Sequence, residues 1–476
     1  MLRATSKLIL CAALACSVMP VNSQSDTNTV SLGESLKLIR DFHPIARQAQ
    51  LIQQEGNAYV QYARGAFDPK IYLEQRNKYY DGKNYYDERG VGLQIPTWFG
   101  LTLNAGNESN AGAFINPEDI TPSGGLSYAG ATMPLLRNLI TDARRTQLQR
   151  AKIFETRSGF MKNTVLNELA ANVVSDYLRW YFAAQELALY NQAVAMSTDR
   201  LRAVREEFIA GAKPISDTIE TAAQLGSFLL SQQEAQIEYA KAKLMFSAHL
   251  WNSDGLPVEP LPGVLPAFSG LDFLDSFVAA FPDTAVVENI LELQPELGNM
   301  SFFQKELELE KRFKKQQLLP DLSLKYNLLS PGFMNFTGPS ITALNNYNFG
   351  LKFSTSLFLR KERGEYRLAD YKWQGQGLKV AWKTRESTQK VRAAYVKVLT
   401  YRDMLGQMKG LVDNFQTLYE NEKIRFESGD ATVFLVNTRE TKLIETRIKQ
   451  LSYFEKNLLS QTEYLEKAGI LWQILR

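Results

Sequence analysis

Two stretches of the chain decide how the rest is read. They are "EEFIAGAKPISDTIETA", Glu206–Ala222, and "IRFESGDATVFLVNTRET", Ile424–Thr441. Laid together on Phe208 and Phe426, each shows a charged helical approach, the Phe, a Gly three residues on (Gly211, Gly429), a short break and a new helical run. Glycine ends helices because it adopts positive φ without steric penalty. Ser216 and Thr432 are candidate caps for the returning helices. Each stretch therefore predicts a sharp helix–turn–helix tip, at 211–215 and 429–433.

Outward from the tips the sequence stays helical. Proline is absent from Leu135 to Lys213, from Ile215 to Gly255 and from Ser340 to the end. Good helix formers fill these runs. Apolar residues recur at three- and four-residue steps, as in Val165, Leu169, Val173, Tyr177 and Trp180, which is the amphipathic helix period. Runs this long point to coiled-coil packing. Between them the period changes to two. In "DLSLKYNL" Leu322, Leu324, Tyr326 and Leu328 alternate with polar residues, and in "YNFGLKFSTSLFL" Tyr347, Phe349, Leu351 and Phe353 share a face. Such alternation fits either membrane-barrel strands or a half-buried soluble sheet.

The chain thus reads as an internal duplication. The first repeat, 24–250, holds a helix (Leu32–Arg64), strands (Phe67–Leu136), a long helix (Arg137–Ala210) and, past the tip, a helix (Ser216–Leu250). A linker, 251–285, precedes the second repeat, 286–476, with helix Val286–Leu318, strands Pro320–Leu359, long helix Arg360–Ser428 and helix Phe434–Gly469. At 1.5 Å per residue each long helix would run roughly 100–110 Å. The helices flanking each strand region head the same way, so each region crosses an even number of times. The second fits two strands; "GVGLQIPTWFGLTLNAG" leaves two or four open in the first.

The 476 residues carry a formal net charge of +3, which argues against a nucleic-acid partner. Arg3 and Lys7 precede an apolar run from Leu8 to Met19, so 1–23 reads as a signal peptide with cleavage after Ser23. The alternative is lipidation at Cys16, behind Ala13-Leu14-Ala15. Cys11 and Cys16 are the only cysteines, so cleavage after Ser23 removes thiol chemistry. No later stretch approaches 18 uncharged apolar residues, which argues against a transmembrane helix. No phosphate loop, HExxH or nucleophile elbow is present, and His43 and His249 read as isolated. No catalytic residue, metal site or cofactor is expected, and the chain does not read as an enzyme.

The arrangement resembles the TolC family of outer-membrane efflux proteins. The likeness is carried by "SLGESLKLIRDFHPIARQAQ" (Ser31–Gln50) with its His43-Pro44 step, and by the strand openings "FDPKIYL" and "LLPDLSL". The strand-to-helix passages "GATMPLLRNLITDARRTQLQRA" and "FSTSLFLRKERGEYRLADY" and the paired tips complete it. The fold class implied is an α+β membrane protein: a long α-helical coiled-coil periplasmic barrel plus a transmembrane β-barrel shared by a homotrimer, commonly with four strands from each protomer. A small strand set cannot seal a barrel alone, since the smallest membrane barrels use eight and open edges in lipid are costly. The resemblance implies an outer-membrane location, a periplasmic adaptor (membrane fusion) protein, an inner-membrane transporter and outer-membrane lipid as partners, and passive export of small molecules or proteins. The other reading is a non-conducting structural or adhesive coiled-coil envelope protein.

The same resemblance assigns sites. Adaptor docking falls to Gly211, Pro214, Ser216, Gly429, Thr432 and Val433. A periplasmic aperture just past the tips falls to Asp217 and Glu220 in the first copy. The matching positions Leu435 and Thr438, with Arg439 alongside, depart from the family's acidic pattern. Trp98, Phe99, Tyr128, Phe353 and Phe358 are candidates for the membrane girdle or lipid face. Arg137, Arg144, Arg145, Arg360, Lys361 and Arg363 follow the strand regions and suit head groups, a tunnel wall or plain solvation.

Overall fold

The computed structural model describes residues 29–261, 263–269, 271, 273–333 and 345–476. The signal peptide, its cleavage point and Cys16 lie outside the described residues. In chain order come β1 (Thr29–Val30), α1 (Leu32–Phe42), α2 (Pro44–Arg64), β2 (Lys70–Tyr80), β3 (Lys83–Pro96), β4 (Thr102–Ala111), β5 (Leu126–Pro134), α3 (Ala143–Ile209) and α4 (Ile215–Ser247). Then follow β6 (Leu265–Pro266), α5 (Phe273–Ala280), α6 (Asp283–Glu288), α7 (Ile290–Leu293), α8 (Pro295–Gln316), β7 (Asp321–Pro331), β8 (Tyr347–Ser354), α9 (Arg360–Glu427) and α10 (Val433–Ala468).

The 67 residues of α3 and 68 of α9 each make a rod of about 100 Å. α3 lies along α2 and α4, and α9 along α8 and α10, so two shorter helices flank each long one. Several expected boundaries move. Residues 137–142 are not helical, because Asn138 takes φ 67° and Asp142 caps α3, accepting from the Arg145 N–H at 2.8 Å. Pro44 breaks the first helix, and His43 caps the new segment through Nδ1, which accepts from the Ile45 N–H at 3.2 Å. The expected helix from Val286 is instead α6, α7 and α8, since Pro295 opens α8.

The linker region packs into the core. Leu271, Leu274 and Val278 are buried in a cluster with Tyr177, Trp180 and Phe246. Trp180 and Phe246 stack at 5.3 Å. The Tyr177 hydroxyl reaches Val30 O at 2.8 Å and Ala267 O at 2.5 Å, clasping the short parallel pair of β1 and β6. That clasp fixes the linker to the middle of α3.

At one end of the rods stands a six-stranded antiparallel sheet, in the order β2-β3-β4-β5-β7-β8. The first strand region holds four strands, and "GVGLQIPTWFGLTLNAG" is the β3–β4 hairpin. Its turn closes with the Thr97 N–H on Leu101 O at 2.8 Å, and Gly100 supplies φ 97°.

Candidate functional site: helical tips and a two-faced sheet

The two tips share one hydrogen-bond pattern. In the first, Gly211 N–H donates to Phe208 O (2.9 Å) and Ala212 N–H to Glu207 O (2.9 Å). In the second, Gly429 N–H donates to Phe426 O (3.0 Å) and Asp430 N–H to Arg425 O (2.8 Å). Both glycines have positive φ, 76° and 83°. Each is therefore the left-handed residue of a Schellman ending. The returning helices start differently. Thr432 caps α10, its hydroxyl accepting from Leu435 N–H at 3.4 Å. Ser216 is not a cap: the N-cap of α4 is Pro214, and Ser216 lies inside the first turn. Val433 also departs from expectation. It is buried at 1% exposure, whereas Phe434 beside it is 60% exposed, so the apolar surface at this tip belongs to Phe434.

Asp217 and Glu220 are half-buried in the first turns of α4, Leu435 and Thr438 are exposed on α10, and Arg439 is half-buried. The Thr438 hydroxyl is turned onto its own helix, donating to Phe434 O at 2.8 Å. The tips also touch: the Lys213 ammonium sits 4.7 Å from the Phe426 ring centre.

Below the tips lies a network that sequence reading missed. Arg200 on α3 donates to both carboxylate oxygens of Glu440 on α10, one at 2.9 Å, to Asn437 Oδ1 at 2.8 Å and to the Tyr419 hydroxyl at 3.4 Å. Glu440 is wholly buried and the Arg200 side chain is 12% exposed. The network ties the first helical hairpin to the second, roughly 12–16 Å from the turns.

The sheet has two faces of opposite chemistry. Strand partners in one row are Ile71, Leu93, Ala105, Ala129, Leu328 and Tyr347, all apolar or aromatic. The adjacent row on the other face is Lys70, Gln94, Asn104, Gly130, Asn327 and Asn348. On β7 the apolar face runs from Leu322 to Leu328, about 20 Å at the usual strand rise. That approaches the roughly 25 Å apolar band of a membrane barrel. Phe353 is part of this face, paired with Leu322. Trp98 and Phe99 are exposed in the β3–β4 turn, packed edge to face at 5.5 Å, at the end where the helices begin. Phe358 is exposed between β8 and α9, with the Arg360 guanidinium 5.1 Å from its ring centre.

Tyr128, expected with the girdle or lipid-face aromatics, stands instead on the polar face. Tyr72 on β2 and Tyr128 on β5 lie across the intervening Gly92 and Gly106 and meet hydroxyl to hydroxyl. A Cβ at Gly106 would come within 2.5 Å of Tyr128 Oη, and one at Gly92 within 2.3 Å of Tyr72 Cζ. Glycine is needed for the rings to lie flat. The signal for this in the sequence is Gly92 and Gly106, glycines that face each other across β3 and β4.

Of the basic residues behind the strands, Arg145 is spent locally, donating to Asn138 O (2.6 Å) and Leu139 O (3.0 Å). Arg144 pairs with Asp142 and Arg137 donates to Gln317 at 2.5 Å. The two histidines are not isolated: their rings lie 5.9 Å apart, and His249 Nε2 meets Asp176 at 2.9 Å. Burial, then the charge of His249, lowers the His43 pKa to about 4. Among the described residues no group of three or more metal-ligating side chains forms, and no helix is long and apolar enough to cross a membrane.

Paired helical hairpins of this length, rooted in a sheet with one apolar and one polar face, have the fold of bacterial outer-membrane channels. The chain is similar to the Neisseria gonorrhoeae MtrE outer membrane channel in its open state, with TM-score 0.64 and 14% identity over 92% of this chain and 88% of that one. It is similar to the Campylobacter jejuni CmeC outer membrane channel at TM-score 0.61 and 15% identity, over 92% and 85% of the two chains. It also matches the outer membrane protein VceC of Vibrio cholerae at TM-score 0.61 and 10% identity, over 92% and 96%. No protein-family model matches the sequence, nor does any curated protein. At these identities the likeness is one of fold.

Proposed function

We propose that this chain is an outer-membrane channel of the TolC type: a passive conduit, with no chemistry of its own, that carries small molecules or proteins outward. It works as the outer part of a tripartite export system, with a periplasmic adaptor at the tips and an inner-membrane transporter beyond. The observation that carries this reading is the sheet. On one face an apolar row crosses all six strands, the opposite face is polar, and both are rooted in rods of about 100 Å. A lipid-facing outside and a wet inside are what a membrane barrel requires. A structural or adhesive coiled coil has no use for the polar face.

A single sheet in lipid leaves two edges of unpaired backbone groups, at several kcal/mol each, so copies join into a closed homotrimer. Asp217 and Glu220 from three copies then form an acidic ring near the periplasmic mouth, with Leu435 giving the same level an apolar part. The repeated order of helix, strands, long helix and tip supports an origin by duplication. Planar-bilayer conductance is the direct test. The purified protein should give discrete ohmic channels and migrate as a heat-modifiable trimer. A protein that stays a water-soluble monomer and never conducts refutes the proposal.

A further inference from the structure

We infer that each copy contributes six strands, not four, and that β2 of one copy pairs with β8 of the next. Three copies then build an eighteen-stranded cylinder. This rests on the channel reading above and deepens it. The resemblance to TolC-type channels implies four strands per protomer; this chain has six in one sheet.

Three observations carry the inference. First, the outermost strands are the open ones. Among the described residues neither the outer edge of β2 nor that of β8 has a strand partner, and β2 is exposed along its whole length, β8 at all but one residue. Second, one apolar row, Ile71, Leu93, Ala105, Ala129, Leu328 and Tyr347, runs from edge to edge, and both edge strands carry exposed apolar residues on that face. Ile71 and Leu73 on β2 are 80% and 79% exposed, and Phe349, Leu351 and Phe353 on β8 are 57–62% exposed. If the β2–β3 hairpin stood outside the cylinder, Ile71, Leu73 and Leu93 would have no lipid to face. Third, the directions fit. β2 leads away from the helices and β8 returns toward them, so a head-to-tail junction is antiparallel like every other pair in the sheet. An even number of strands with alternating direction closes without a parallel seam.

The occupant of each edge is thus a second copy of this chain. Register is restricted, because a one-residue slip would turn an apolar face inward. Ile71, Leu73, Gln75 and Asn77 share the outward face of β2, so they pair with Phe349, Leu351 or Phe353. At sixteen to eighteen strands a barrel interior is an aqueous channel rather than a side-chain-filled core. The polar row from Lys70 to Asn348 would line it.

The test is a double-cysteine panel in the full chain, combining each of Ile71→Cys, Leu73→Cys, Gln75→Cys and Asn77→Cys with each of Phe349→Cys, Leu351→Cys and Phe353→Cys. Native mass measurement reports the copy number, and the unsubstituted protein is the control. Mild oxidation should produce a reducible covalent species of three times the subunit mass, for pairs along one line of register only. Single-cysteine variants should remain trimers and stay uncrosslinked. A native trimer in which no β2–β8 pair links overturns the inference. So does a trimer in which Phe349→Cys links to Leu103→Cys on β4, because the β2–β3 hairpin is then outside a twelve-stranded cylinder. Those outcomes leave the channel reading intact. A monomer by native mass overturns both.

Discussion

Glu440 gives the sharpest test of how the two helical hairpins are held together. It is fully buried, and its carboxylate takes two hydrogen bonds from Arg200. Replacing it by Leu keeps most of the volume but strands a guanidinium that is only 12% exposed. Removing one partner of a buried pair costs about 3–5 kcal/mol, mostly for the charge left behind. At 1.4 kcal/mol per factor of ten, local opening rises between about 10²- and 4 × 10³-fold. The assay is amide hydrogen exchange of α10 between Val433 and Glu445, read in the assembled protein. Glu440→Leu should accelerate it by that factor. Arg200→Met with Glu440→Leu removes both charges and should return exchange to within about tenfold of the parent, because an apolar replacement of a whole buried pair is close to neutral. If the single variant exchanges like the parent, or the double variant is as fast as the two singles combined, the pair is not what joins the hairpins.

Other expectations follow from single contacts. Thr432→Ala removes the α10 cap and should cost about 1 kcal/mol, seen as faster exchange in the first turn, whereas Ser216→Ala should change exchange in α4 little. Gly130→Ala puts a Cβ 2.0 Å from Tyr326 O, so β5 and β7 must separate; heat-modifiable trimer should be lost while helical circular dichroism persists. The lowered pKa of His43 makes the unfolded chain bind more protons between pH 6.5 and about 4. Stability is then full above about 6.5 and falls as pH drops toward 4. His43→Asn keeps an acceptor at this cap and should flatten that slope in thermal unfolding.

Much of this was legible in the sequence because the period is unambiguous. The tips were fixed by Gly211 and Gly429, whose positive φ no other residue supplies as easily. The strands β7 and β8 were fixed by strict alternation. The sequence leaves the β3–β4 hairpin open because Gly90, Gly92 and Pro96 weaken the strand signal, and the role of Gly92, like that of Gly106, appears only across strands, where Tyr72 and Tyr128 need bare backbone beneath them. Tyr128 reads as a girdle or lipid-face candidate for the same reason: an aromatic near a strand end looks like girdle until register sets its face. Arg200 and Glu440 were invisible because they lie 240 residues apart, and each alone looks like a solvated helix charge. Val433 and Phe434 differ by one residue in sequence and by a full change of environment, which helix phase near a cap does not settle.

The matching backbones of the two turns separate shape from chemistry. Residues 208–214 and 426–432 could be exchanged within one chain with the same bonds re-formed, while Asp217 and Leu435 stay where they are. Swapped chimeras of that kind would keep the bend constant and vary only what a visiting protein or solute meets. Each chain thus offers two nearly identical fingertips in two chemical flavours, and a partner that distinguishes them must read side chains, since the main chain says the same thing twice.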